Sequence, residues 1–144
     1  MKGAALKKML QDRVEASYDF CEQHFPVVIK VDKASNYPNK RDYAMCGWDG
    51  KQITIFVAPK FLTASTDRQD ALIRHELGHA CVFVKGKKWL KQKCSAMNVN
   101  LPMTEERCAD MIAMVIWGNS ILYDRDLVQS LKCGVSPRPA FLGL

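Results

Sequence analysis

The sequence predicts one α+β domain, a three-stranded antiparallel or mixed sheet packed against helices. Three observations lead there. The chain has 144 residues, enough for one hydrophobic core and too few for two ordinary domains. Its 48% hydrophobic and 25% charged residues are the proportions of a globular protein rather than a disordered one. The hydrophobic period also changes along the chain. It is helical at first, then breaks into short β-rich runs, then becomes helical again.

Taken in order, residues 2–24 read as a first, amphipathic helix, ended by Pro26. VVIKV at 27–31 reads as a strand. The polar, proline-containing segment 33–42 is a loop. YAMCGW and KQITIFV flank Asp49-Gly50, a hairpin signal, because both central turn positions favour residues that tolerate positive φ. Ile53, Ile55 and Val57 alternate with Thr54 and Phe56, the pattern of a strand with one buried face. Pro59 closes the sheet region. A second helix opens in TASTDRQD, where Thr66 and Gln69 have capping-box spacing and Asp67 and Asp70 suit the positive end of the helix dipole. It is expected to run to about Val84 and to stop before Gly86. Residues 85–103 are expected as a loop. Pro102 and the N-cap candidate Thr104 precede a third helix that runs to Trp117, with Gly118-Asn119 as its stop and a short helix near 123–132 beyond it.

The formal charge is +6, and much of it falls in KGKKWLKQK, where Lys85, Lys87, Lys88, Lys91 and Lys93 surround Trp89. This reads as a solvated linker after a helix, with nucleic acid or an acidic partner as the alternative. Cysteines 21, 46, 81, 94, 108 and 133 form no C-x-x-C pair. No apolar run follows the N-terminal lysines, so a signal peptide is not expected. The longest apolar stretch, Met111 to Trp117, is too short to span a bilayer. The expectation is a cytoplasmic protein with reduced thiols and no membrane segment.

Residues 74–80, RHELGHA, carry the chemistry. On a helix, His75 and His79 lie about 40° apart on one face and about 6 Å along the axis. Two imidazoles so placed can chelate one ion. Glu76 is rotated by about 100° from His75, beside that ion, where it can take a proton from a metal-activated water. Ile73, Leu77, Ala80 and Val84 anchor the opposite face. Gly78 is costly inside a helix; close approach of another segment would explain it. The bland alternative is a helix with two incidental histidines, yet two of the chain's three histidines fall into this motif.

Zinc held by two histidines needs a third protein ligand. His24 reads as a helix-end residue. Glu106 and Asp110 in TEERCADMIA are again four apart. Glu106 can bind metal, and Asp110 can accept a hydrogen bond from the free nitrogen of a ligand histidine. Glu105 has Ala109 at its own fourth position and lacks that second carboxylate. Helix-terminal stabilisation would account for Glu105 and Glu106, but not for Asp110, a turn further in.

HELGH followed by Glu106-Arg-Cys-Ala-Asp110 resembles the gluzincin class of zinc metallopeptidases. KQITIFVAP, just before RQDALIRHELGHA, resembles the edge strand that members place above the active-site helix. The small size and element order are similar to ImmA/IrrE-type phage and bacterial metallopeptidases and to minimal single-domain zincins. The resemblance covers roughly residues 43–117. It implies one zincin-like domain over 1–144 and a cytoplasmic endopeptidase acting on a peptide or protein. Zn2+ would be bound by His75, His79 and Glu106. Glu76 would be the general base and Asp110 the support of a ligand histidine. Substrate would add to the strand Ile53, Thr54, Ile55, Phe56 and Val57. There are departures. ImmA/IrrE-type members carry asparagine where Asp110 stands, and their Leu-Met-Pro continuation is replaced here by MIAMVIWG. No histidine follows His79, which leaves Tyr123 as the candidate oxyanion stabiliser. Two rival readings use the same residues. One is a zinc-stabilised regulatory or binding module without catalysis. The other is a nucleic-acid-associated protease similar to SprT-like proteins, whose third ligand is, however, a histidine.

Overall fold

The computed structural model of the chain describes residues 3–39, 42–96 and 105–117. Its elements are α1 (Gly3–Cys21), β1 (Val27–Val31), β2 (Ala44–Trp48), β3 (Ile53–Val57), α2 (Thr66–Lys85), α3 (Lys87–Ala96) and α4 (Glu105–Trp117), with 3-10 turns at Ala34–Asn36 and Pro59–Thr63. This is the α+β class the periodicity predicts. No helix among the described residues is long and apolar enough to cross a membrane.

In α1, Val14, Ser17 and Cys21 are buried, with Leu6, Met9 and Leu10 packed on the same core. The spacing is that of one helical stripe. The helix stops at Cys21 rather than continuing to 24, because Glu22 takes a positive φ of 59°. Lys93 from α3 donates to the Phe20 carbonyl at 2.6 Å, satisfying one of the orphan acceptors at the helix end.

The sheet has the order β1-β3-β2, with β1 parallel and β2 antiparallel to β3. It is therefore mixed. β3 is its central strand, paired along its whole length on both sides. This overturns the expectation that Ile53, Thr54, Ile55, Phe56 and Val57 form a substrate-binding edge, since their backbone groups are already committed to β1 and β2. The physical reason was visible in part. Ile53, Ile55 and Val57 are completely buried, and β-branched residues of that kind suit a central strand. Pairing order itself is a long-range property.

The hairpin forms where expected, but its central residues are Gly50 and Lys51. Gly50 has φ 93°. Asp49 acts as an acceptor, its carboxylate taking the N–H groups of Lys51 and Gln52 at 2.8 and 2.7 Å.

Helix α2 lies at the centre, packed by α1, α3, α4 and β2. Its cap is Ser65, whose hydroxyl accepts from Arg68 N, and not the expected Thr66–Gln69 box. Gln69 is instead buried and donates to the Phe61 carbonyl at 2.9 Å. Asp70 is bound by Arg13 of α1 at 2.7 Å and by Arg74. From Ala71 to Cys81 every residue is buried, as in a helix enclosed on all sides.

Residues 87–96 form a helix, not the expected loop. Lysine, leucine and glutamine are good helix formers, and Leu90 and Cys94, four apart, are buried against the core. Lysine density hid this seam. Gly86, with φ 87°, turns the chain between α2 and α3. Cys21 and Cys81 are joined as a disulfide, with Cα atoms 5.9 Å apart, which corrects the expectation of reduced thiols throughout. Cys46 and Cys94 form no disulfide. The Thr104 cap, the Gly118-Asn119 stop, the helix near 123–132 and Tyr123 lie outside the described residues.

Candidate metal centre

The site is made by α2 and α4, which cross with no spacer at Gly78. A Cβ added there would stand 2.3 Å from the Ala109 carbonyl oxygen. Only glycine lets the two backbones approach this closely. The contact sets the His75–His79 face of α2 directly against Glu106 and Asp110, which flank Ala109 on α4.

His75 is 1% exposed and Asp110 is fully buried. The Nδ1 of His75 meets Asp110 Oδ1 at 2.5 Å, and its Nε2 meets Glu106 Oε2 at 2.7 Å. The Nε2 of His79 lies 3.2 Å from that of His75 and 3.3 Å from Glu106 Oε1. Glu76 Oε2 stands 3.9 Å from His75 Nε2. The structure thus brings together all five residues singled out for the centre. Glu105 faces away, 3.7 Å from Lys87. His24 packs against Tyr18, tilted by 47° with ring centroids 4.7 Å apart, and lies outside the cluster.

The electrostatics follow from this packing. Burial pulls the His75 pKa down, but its hydrogen bonds to Asp110 and Glu106 outweigh that and lift it to about 9. Those same bonds, from His75 and then His79, hold the Glu106 carboxyl well below the usual carboxylate range. Burial pushes the Glu76 carboxyl up, the direction wanted in a group that must accept a proton near neutrality.

The donors of His75, His79 and Glu106 could hold a metal ion, lying within 4.8 Å of one another. Around a tetrahedral ion with bonds of about 2.0–2.2 Å, neighbouring donors are about 3.3–3.6 Å apart. The His75–His79 separation, 3.2 Å, is close to that, and so is the 3.3 Å from His79 to Glu106 Oε1. The other carboxylate oxygen, Oε2, lies 2.7 Å from His75 Nε2, and a small swing of the Glu106 side chain, which is 59% exposed, would bring one oxygen to a common distance from both rings. Asp110 already fixes the His75 Nδ1, leaving Nε2 as the metal-facing nitrogen.

Other neighbours were not anticipated. Of the strands, α2 packs chiefly on β2, and β2 is the sheet edge on that side among the described strands. Burial raises the Cys46 thiol pKa, and the charge of Glu76 adds to it, so this β2 side chain sits in the field of the centre. Tyr37 is pushed up to about 12 by burial, then by Asp32, with a smaller contribution from Glu76. Phe83, four residues after His79, stacks on its ring. The four-residue spacing puts both rings on one face of the helix.

No protein-family model, no curated protein and no solved structure matches this chain. The chemistry of the site therefore stands on its own residues.

Proposed function

We propose that the chain is a zinc-dependent endopeptidase. What carries this reading is the convergence of His75, His79 and Glu106, with Asp110 behind His75 and Glu76 beside it. A zinc ion held there would act as a Lewis acid and lower the pKa of its water to about 7. Glu76 accepts the proton of the attacking water and passes it to the leaving amine, and burial raises its pKa, the direction that favours this role. Asp110 holds the His75 ring in one tautomer and orientation. A substrate backbone pairs with β2, whose outer edge is open among the described strands.

A cytoplasmic setting belongs to this reading. A reducing compartment would then work against the Cys21–Cys81 bond. The lysines of α3 give less support to a nucleic-acid role than their number suggests. Lys93 is tied to the Phe20 carbonyl and Glu22, and Lys87 stands against Glu105.

The test is elemental analysis of purified protein together with cleavage of an unstructured protein such as casein. Wild type should hold one zinc per chain and cleave. Glu76→Ala should keep the metal and lose cleavage, whereas Glu106→Ala should lose most of the metal. Zinc retained equally by all three proteins would remove Glu106 from the ligand set. Zinc bound without any cleavage would favour the non-catalytic module.

A further inference from the structure

Along one face of α2 the exposure rises step by step. His75 is 1% exposed, His79 is 9% and Phe83 is 38%. These residues are four apart, so each stands about 6 Å further along the helix than the last. The face therefore runs from a buried inner end, where Asp110 holds His75, to an open rim. At that rim, where solvent reaches the helix, the residue is phenylalanine rather than a charged side chain. Its ring lies 22° from the plane of His79, with centroids 6.0 Å apart. One side of the phenyl ring thus leans on a candidate metal ligand. The exposed remainder stands one helical turn from His79.

We infer that Phe83 is the apolar floor of a substrate subsite that selects an apolar side chain next to the scissile bond. The inference rests on the peptidase reading and names a preference of that same site. Adjacent residues of an extended peptide are about 3.3 Å apart. A peptide whose carbonyl lies at the donor cluster therefore brings a flanking side chain within reach of a ring one helical turn away. An apolar side chain placed there gains by covering the ring. A carboxylate gains nothing, because it would lose water against phenyl and approach Glu106. Covering about 60 Å² of apolar surface is worth on the order of tenfold in affinity.

The experiment uses zinc-loaded full-length protein and hydroxamates, which bind through the metal and need no turnover. Acetohydroxamate, a phenylpropionyl hydroxamate and a succinyl hydroxamate are titrated calorimetrically into wild type, Phe83→Ala and Phe83→Leu. Metal content is measured on the same samples. Wild type should bind the phenyl-tailed ligand roughly tenfold more tightly than acetohydroxamate. Phe83→Ala should lose most of that gain, read within each protein as the ratio of the phenylpropionyl to the acetyl affinity, and Phe83→Leu should keep much of it. Equal binding of the phenyl and acetyl ligands by zinc-loaded wild type overturns the inference and leaves the metal centre standing. So does a gain that survives in Phe83→Ala, or a preference for the succinyl tail. Protein that holds no zinc overturns both readings, and the metal analysis tells this case from the others.

Discussion

Replacing Gly78 by alanine sets two forces of opposite sign against each other. In an unencumbered helix, alanine is favoured over glycine by about 1 kcal/mol. At Gly78 the new Cβ would stand 2.3 Å from the Ala109 carbonyl oxygen and 2.8 Å from its Cα and carbonyl carbon. Carbon–oxygen contacts need about 3.3 Å, so α2 and α4 must part by about 1 Å. Every atom struck is backbone within a helix, and none can turn aside as a side chain could. Overpacking of this kind costs about 3 kcal/mol. The net loss is then about 2 kcal/mol, a fall in Tm of roughly 8 °C for a chain of this size. The same displacement moves Glu106 and Asp110 away from the histidines, and zinc affinity should drop on the order of tenfold or more. Thermal and urea unfolding of metal-free protein, followed by a competitive zinc titration, read both effects. A Gly78→Ala protein that is more stable than wild type and binds zinc as well would refute the close crossing of α2 and α4.

In metal-free protein, burial opposes the charge on His75, while Asp110 and Glu106 raise its pKa to about 9. Since the folded value is the higher, protonation stabilises the fold fully below the unfolded pKa of about 6.5, and this contribution fades as pH rises through 9. Metal-free stability should fall by up to about 3 kcal/mol over that window, measured by urea unfolding. Zinc requires the neutral ring, so its apparent affinity should climb about tenfold per pH unit from 7 to 9, and a flat profile would contradict the His75 environment. The Cys21–Cys81 bond spans a sequence separation of 60. Reducing it should lower stability by about 4 kcal/mol by loop-closure entropy, and unfolding curves that coincide with and without reductant would mean that these thiols are not paired.

Much of the centre was legible because helices convert sequence spacing into geometry. His75 to His79 and Glu106 to Asp110 are each four residues apart, and each pair shares a face by local rules alone. The choice of Glu106 over Glu105 followed from the same spacing, and the structure turns Glu105 toward Lys87. Strand order was not legible in this way. Nothing local to Ile53–Val57 says that β1 will lie parallel on one side and β2 antiparallel on the other, so the edge was assigned to the wrong strand. The helix at 87–96 is hidden in the sequence because its buried seam is only Leu90 and Cys94, with lysines filling half of the remaining positions. The Cys21–Cys81 contact joins the end of one helix to the middle of another, which no spacing rule connects.

Charge balance supplies a separate reason to expect a cation. Glu76, Glu106 and Asp110 surround two imidazoles, and of the three acids only Glu106 has substantial solvent contact. A single proton on His75 leaves an excess of negative charge in a largely dry site, a costly arrangement. Two responses lower that cost. One is proton uptake, and the upward push on the Glu76 pKa is its signature. The other is a divalent cation, which offsets more charge than one proton and uses the lone pairs that Asp110 has already oriented. A site meant only to stabilise the fold would be closed by a fourth protein donor. The cluster among the described residues offers three, on a side where Glu106 meets solvent. That combination is what the peptidase reading asks for, a position for water or a peptide carbonyl beside the buried Glu76 carboxylate.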